Sequence, residues 1–211
     1  VMHCEKSIGE KISLGGKENL AEVLRLFEIN CKLAEIIRSK KMVIHLWGGR
    51  TSDSHFENNI VTYAVLKEMA ECYGLELLVE NVVCNQQDPL THMCELAQIY
   101  PEIGFVVDTK MAAFHSQQEK IYEPEYSWLW QKGYVRHYHI NDYARGYMDW
   151  PNLTTLVIED GKIDFKNFFR LVKETGYDGT FTTEASAYFA DGSVNVEKLN
   201  RQFQRIREYL G

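Results

Sequence analysis

Phe105-Val106-Val107-Asp108-Thr109 is an apolar, β-branched run that stops at a carboxylate. A strand buried on both faces reads this way. In α/β proteins the C-terminal end of such a strand is where reactive side chains collect. The pattern recurs outward from it in both directions. Met42-Val43-Ile44 ends in His45, and Leu77-Leu78-Val79 ends in Glu80. Val135-Arg136-His137-Tyr138 leads to His139, and Thr180-Phe181-Thr182-Thr183 ends in Glu184. Each run finishes on a side chain that can bind a metal or move a proton. Their repetition, with helical stretches between, predicts one site assembled from strand ends.

Helical spacing of apolar residues predicts helices over 18–39, 58–73, 89–100, 111–118, 124–131, 165–175 and 194–210. Several carry end signals: Asp88 ahead of Pro89, Asp164 as a capping carboxylate, and Gly74 as a C-terminal cap. Residues 6–17 hold Gly9, Gly15 and Gly16 among polar neighbours and are expected to be a loop. Strands are expected over 1–5, 41–46, 75–80, 103–108, 135–140 and 179–184. Strands alternating with helices imply right-handed crossovers and a parallel sheet. A doubly wound sheet gathers its ligand at one switch point, often with a G-x-G-x-x-G loop, and this sequence has none. Functional residues at nearly every strand end suit a (β/α)₈ TIM barrel instead. Such a barrel takes eight strands and roughly 250 residues. The 211 residues are therefore expected to form a single TIM-barrel-like domain over 1–211, as the third to eighth β-α units. The strand around His3 would then be an edge, open to pairing in a homo-oligomer.

Composition narrows the classes. Hydrophobic residues make up 45% of the chain, and no apolar run is long enough to cross a bilayer, so no membrane role is expected. The net charge of -7 argues against a large nucleic-acid footprint. Cys4, Cys31, Cys72, Cys84 and Cys94 form no C-x-x-C pair and read as reduced thiols of a cytoplasmic protein. Val1-Met2-His3-Cys4 reads as a strand rather than a signal peptide.

Beyond the strand ends, the sequence contains His139-Ile140-Asn141-Asp142, the run Glu159-Asp160-Gly161-Lys162-Ile163-Asp164-Phe165, and Gly176-Tyr177-Asp178-Gly179 before the last strand. With His3, His45, Glu80, Asp108, His139 and Glu184, these make the whole chain resemble the xylose-isomerase-like TIM-barrel superfamily. That group includes sugar phosphate isomerases and epimerases, inosose dehydratases and AP endonucleases of family 2. The resemblance implies a metal held by Glu80, Asp108, His139 and Glu184, the order used by ketose 3-epimerases. It also implies Glu80 and Glu184 as the catalytic acid-base pair. Asp142 and Arg145 match an acid-arginine pair that contacts substrate, and His3 and His45 would be further substrate contacts. Trp47, with Trp150 and Tyr143, is an aromatic candidate for stacking on a sugar face. Two departures stand out. The family's Asp-Thr-x-His reads Asp108-Thr109-Lys110-Met111 here, and its later Asp-x-His reads Asp149-Trp150-Pro151. Both histidines belong to the nuclease's trinuclear centre, so AP endonuclease is the least favoured activity. His115 is read as polar surface.

Chemistry supports the same ligand set. Three carboxylates and an imidazole converging in a low dielectric repel one another unless a cation joins them. An oxygen-rich set with one histidine suits one divalent ion: Mn²⁺, Mg²⁺, Co²⁺ or Zn²⁺. The expected activity is metal-dependent sugar or sugar phosphate isomerisation or epimerisation, by proton transfer next to a carbonyl. The alternatives are a lyase dehydrating a keto-inositol and a non-catalytic sugar-binding protein with a degenerate site.

Overall fold

The computed structural model describes residues 1–185 and 187–211. The chain forms two compact units, Val1–Val106 and Val107–Gly211.

In the first unit, β1 (Met2–His3), β2 (Lys41–Ile44), β3 (Glu76–Glu80) and the start of β4 (Gly104–Asp108) pair side by side in chain order, all parallel. The register sets Val43 against Leu78, and Glu80 against Val106. Paired residues of a parallel ladder point to the same face, and side chains two apart on a strand share it. Val43, Leu78 and Val106 accordingly form one fully buried cluster. Helices α2 (Lys17–Ile36), α3 (Phe56–Cys72) and α4 (Pro89–Ile99) connect the strands. The buried side of α2 is Val23, Phe27, Cys31 and Ala34, a period of three to four that keeps one face inward. Burying a Phe such as Phe27 completely is worth about 1.5–3 kcal/mol. Asp88 caps α4 by accepting from the Thr91 N–H at 2.9 Å, and Gly74, at φ 65°, closes α3.

The expectation of a loop over 6–17 is overturned: α1 (Ser7–Leu14) occupies most of it. Ile8 and Ile12 lie one turn apart and are both buried, which is the spacing the glycines obscured. Gly9 is there for packing. A Cβ at this position would lie 2.4 Å from the His45 carbonyl oxygen and 2.6 Å from that of Trp47.

In the second unit β5 (Val135–His139) pairs in parallel with β6 (Phe181–Thr182). Its helices are α5 (Thr109–Phe114), α6 (Trp128–Gln131), α7 (Phe165–Glu174) and α8 (Val196–Leu210). Tyr138 anchors an aromatic cluster with Phe168, Tyr177 and Phe181, and its hydroxyl accepts from the Trp130 indole at 3.0 Å. Asp164 and Asn195 cap α7 and α8 through the Asn167 and Lys198 N–H groups. The helix expected over 124–131 is instead a 3₁₀ turn, Pro124–Tyr126, followed by α6. A further 3₁₀ turn, Lys120–Tyr122, precedes it. No helix among the described residues is long and apolar enough to cross a membrane.

Gly9→Ala tests the α1 contact. In an ordinary helix interior this change stabilises by roughly 1 kcal/mol. Here the methyl meets backbone that cannot move aside, so a loss of about 1–3 kcal/mol is expected in a denaturant titration. An unchanged or higher midpoint would show that α1 does not press on β2.

Candidate active site

In the second unit the ends of β4, β5 and β6 are tied together by Asn141. The Thr109 hydroxyl donates to the Asn141 carbonyl at 2.6 Å and accepts from the Asn141 N–H at 2.9 Å. That reciprocal pair fixes where the Asn141 side chain points. Its amide donates to Asp108 Oδ2 at 2.5 Å and to Glu184 Oε2 at 3.1 Å. Its oxygen accepts the Glu184 N–H at 3.1 Å. His139, on the same pleat as Asn141, brings Nδ1 to 3.5 Å from Glu184 Oε1. Asp108, His139 and Glu184 each offer a ligand atom, and these lie within 4.8 Å of one another. Asp108 is fully buried, and its Oδ1 accepts from the Met111 N–H at 3.0 Å. The Glu184 side chain is 26% exposed, so this carboxylate is the one that meets solvent. Behind His139, His137 contacts the hydroxyls of Thr180 and Thr182, both at 2.9 Å.

In the first unit Glu80 is completely buried. Its Oε2 faces two imidazoles: His45 Nε2 at 2.7 Å and His3 Nε2 at 3.1 Å. The two rings stand edge to face with centroids 4.8 Å apart. His3 Nδ1 donates to the Cys4 carbonyl at 2.7 Å, so a neutral His3 has no second hydrogen to give Glu80. His45 and His3 expose 10% and 21% of their side chains, so both can be reached from outside.

Other expected substrate contacts lie elsewhere. Trp47 is fully buried, its indole donating to the Val82 carbonyl at 2.9 Å and its ring packed against Phe56 and His92. No face of it is open to a sugar. Asp142 is also fully buried. Its carboxylate accepts from the N–H groups of Tyr143 at 2.7 Å, Gly161 at 2.8 Å and Ile163 at 3.1 Å. It holds the long loop after β5 closed, while Arg145 in that loop is exposed. Tyr143 is buried, its hydroxyl donating to the Gly146 carbonyl. His115 is 5% exposed, which corrects its reading as polar surface: it follows the last turn of α5 and packs beside Phe114. Asn141 was not singled out from the sequence. Its signal was its position two residues beyond His139, which puts both on one pleat.

The xylose isomerase-like TIM barrel family profile matches residues 7–207. The chain belongs to that family. Three solved structures share its fold at low identity. A D-tagatose 3-epimerase-like protein superposes with a TM-score of 0.72 at 19% identity, over 99% of this chain and 75% of its own. The IolI protein with a bound zinc atom gives 0.69 at 16%, over 93% and 72%. D-psicose 3-epimerase from Clostridium cellulolyticum H10, solved with D-tagatose, gives 0.66 at 12%, over 99% and 76%. Comparison with curated proteins gives no match. The alternating strands and helices are thus those of a TIM barrel, whose reactive side chains gather at the strand ends.

Asp142→Ala should cost at least the roughly 1.5–3 kcal/mol of one charge-assisted hydrogen bond. Amide exchange at Gly161 and Ile163 should quicken with it. Protected amides in a stable variant would return Asp142 to the substrate contacts.

Proposed function

We propose that the protein is a metal-dependent isomerase or epimerase of a sugar or sugar phosphate, working by proton transfer next to a carbonyl. The observation that carries this reading is the Asp108–His139–Glu184 group joined by Asn141. Two carboxylates and an imidazole within reach of one another, one carboxylate fully buried, form a donor set that a divalent cation fits. Glu80 is the proposed fourth ligand. The strand register supports it: Glu80 pairs with Val106, and Asp108 lies two residues further along the same strand, on the same pleat. Mn²⁺, Mg²⁺, Co²⁺ and Zn²⁺ all suit oxygen ligands with one histidine. When bound, such an ion supplies Lewis acidity to a carbonyl and the hydroxyl beside it.

The remaining work falls to the chain's own groups. Glu184, partly open to solvent, takes or returns the proton at the hydroxyl-bearing carbon beside the carbonyl. Asn141 aims it, fixing both its backbone N–H and one carboxylate oxygen. Glu80 serves the opposite side of the same carbon as the partner that returns or takes the proton. His45 and His3, both partly exposed beside Glu80, are the proposed substrate contacts next to it. Arg145, on the exposed part of the long loop, is the proposed contact to a distal hydroxyl or phosphate.

The test is a screen of free and phosphorylated ketoses with Mn²⁺ or Co²⁺, with products separated by chromatography. Glu80→Gln and Glu184→Gln keep shape and remove a proton acceptor. Each should lower turnover by about 10²–10⁴-fold even at saturating metal. Asp108→Asn should lose metal first and recover partly when metal is added. Wild-type turnover in both glutamate variants would end the proton-transfer reading.

A further inference from the structure

The first unit holds a second group of metal-ligating side chains, remote in kind from the strand-end set. Asp53 precedes α3, Cys84 lies four residues beyond β3, and His92 is in α4. All three are buried: Asp53 at 5% exposure, Cys84 at 0% and His92 at 2%. One oxygen of Asp53, the Cys84 sulfur and one nitrogen of His92 lie within 4.8 Å of one another.

We propose that Asp53, Cys84 and His92 are a binding site for a divalent transition-metal ion of the zinc class. The donor set sets the class. A thiolate disfavours Mg²⁺, Ca²⁺ and Mn²⁺, while a mixed sulfur, nitrogen and oxygen set suits Zn²⁺ or Co²⁺. Three protein ligands leave a fourth position for water or a small molecule.

Each ligand is already oriented. His92 Nδ1 donates to Glu95 Oε2 at 2.8 Å, which leaves Nε2 to face the site. A carboxylate on the far nitrogen is the usual arrangement behind a metal-bound imidazole. Nε2 itself lies 3.0 Å from Asp53 Oδ2, close to the separation of two ligands on one ion. The metal would bind both atoms in place of their contact with each other. Phe56 stacks on the His92 ring at 3.6 Å, and Trp47 meets its edge at 5.4 Å, so the ring cannot swing away. Asp53 is held by the N–H groups of Asn85, Gln86 and Gln87. Burial alone would raise its carboxyl, but His92 and these N–H groups outweigh that and bring it down to about 2. It is an anion at any ordinary pH. Burial, and then the charge of Asp53, push the Cys84 thiol up, and its Sγ now donates to the Val82 carbonyl at 3.3 Å; a bound cation would favour the thiolate. Binding the ion through the thiolate releases the Cys84 sulfur proton and breaks no covalent bond between heavy atoms.

A way in exists. A cleft of about 780 Å³ reaches Asp53 and His92, with Glu57 and Glu95 among its lining. Their side chains are 73% and 45% exposed, so the approach carries negative charge.

Cobalt titration of the whole chain distinguishes this site from the strand-end one, because only this site has sulfur. Co²⁺ should produce the near-ultraviolet absorption of a thiolate–cobalt bond, and Zn²⁺ should displace it. Glu184→Gln should keep the band, and Cys84→Ser, checked as folded by circular dichroism, should lose it. Glu95→Gln changes a partly exposed residue outside the ligand set and should weaken cobalt binding about 10–100-fold. No thiolate band in the wild-type protein at saturating cobalt would overturn the proposal. So would a band that survives Cys84→Ser, or full affinity in Glu95→Gln.

Discussion

A carboxylate with no access to water must have its charge answered by the protein, and this chain is arranged around several of them. Removing an unpaired carboxylate from water costs far more than one hydrogen bond returns. Glu80 and Asp108 are both wholly buried. The partners that answer Glu80 come from two other strand ends, through His3 and His45. Asp108 is answered by the Asn141 amide and by the Met111 N–H in the first turn of α5. Each answer fixes a strand end. The apolar layer of Val43, Leu78 and Val106 lies one step below. Hydrophobic burial supplies the stability, and the carboxylates specify how the ends align.

Loops are ordered by the same means. Asp53 in the first unit and Asp142 in the second each gather three backbone N–H groups from a segment that has no ladder of its own. A buried loop needs such an acceptor, because its N–H groups are otherwise left without water or strand partners. In both places the aspartate has become part of the backbone's hydrogen bonding. Asp142 is bound up in this role, whereas Asp53 Oδ2 faces His92 as well as the Gln87 N–H.

The strand ends were legible because two signals coincided there, a β-branched run and an abrupt polar stop. Asp108, His139 and Glu184 were legible as a group for that reason. What stayed hidden depended on contacts far apart in sequence. The α1 helix was masked because Gly9 looks like a loop residue until the carbonyls above it are in place. Trp47 looked like a sugar platform because a sequence does not show that Phe56 and His92 cover it. Asn141 carries no charge and no metal-ligand signature, yet it links two carboxylates. The Asp53–His92 pair spans 39 residues, with no spacing rule to announce it.

The closeness of Gly9 to the carbonyls of His45 and Trp47 bears on how such a sequence can drift. His45 is one of the two groups that answer the Glu80 charge, so its backbone cannot yield without moving that pair. Position 9 touches no carboxylate and no ligand, yet it inherits the constraint of residues that do. Any side chain added there should cost stability, while Glu10 beside it, exposed on the same helix, is free to change. An invariant residue remote from the chemistry would here record a distance between two backbones.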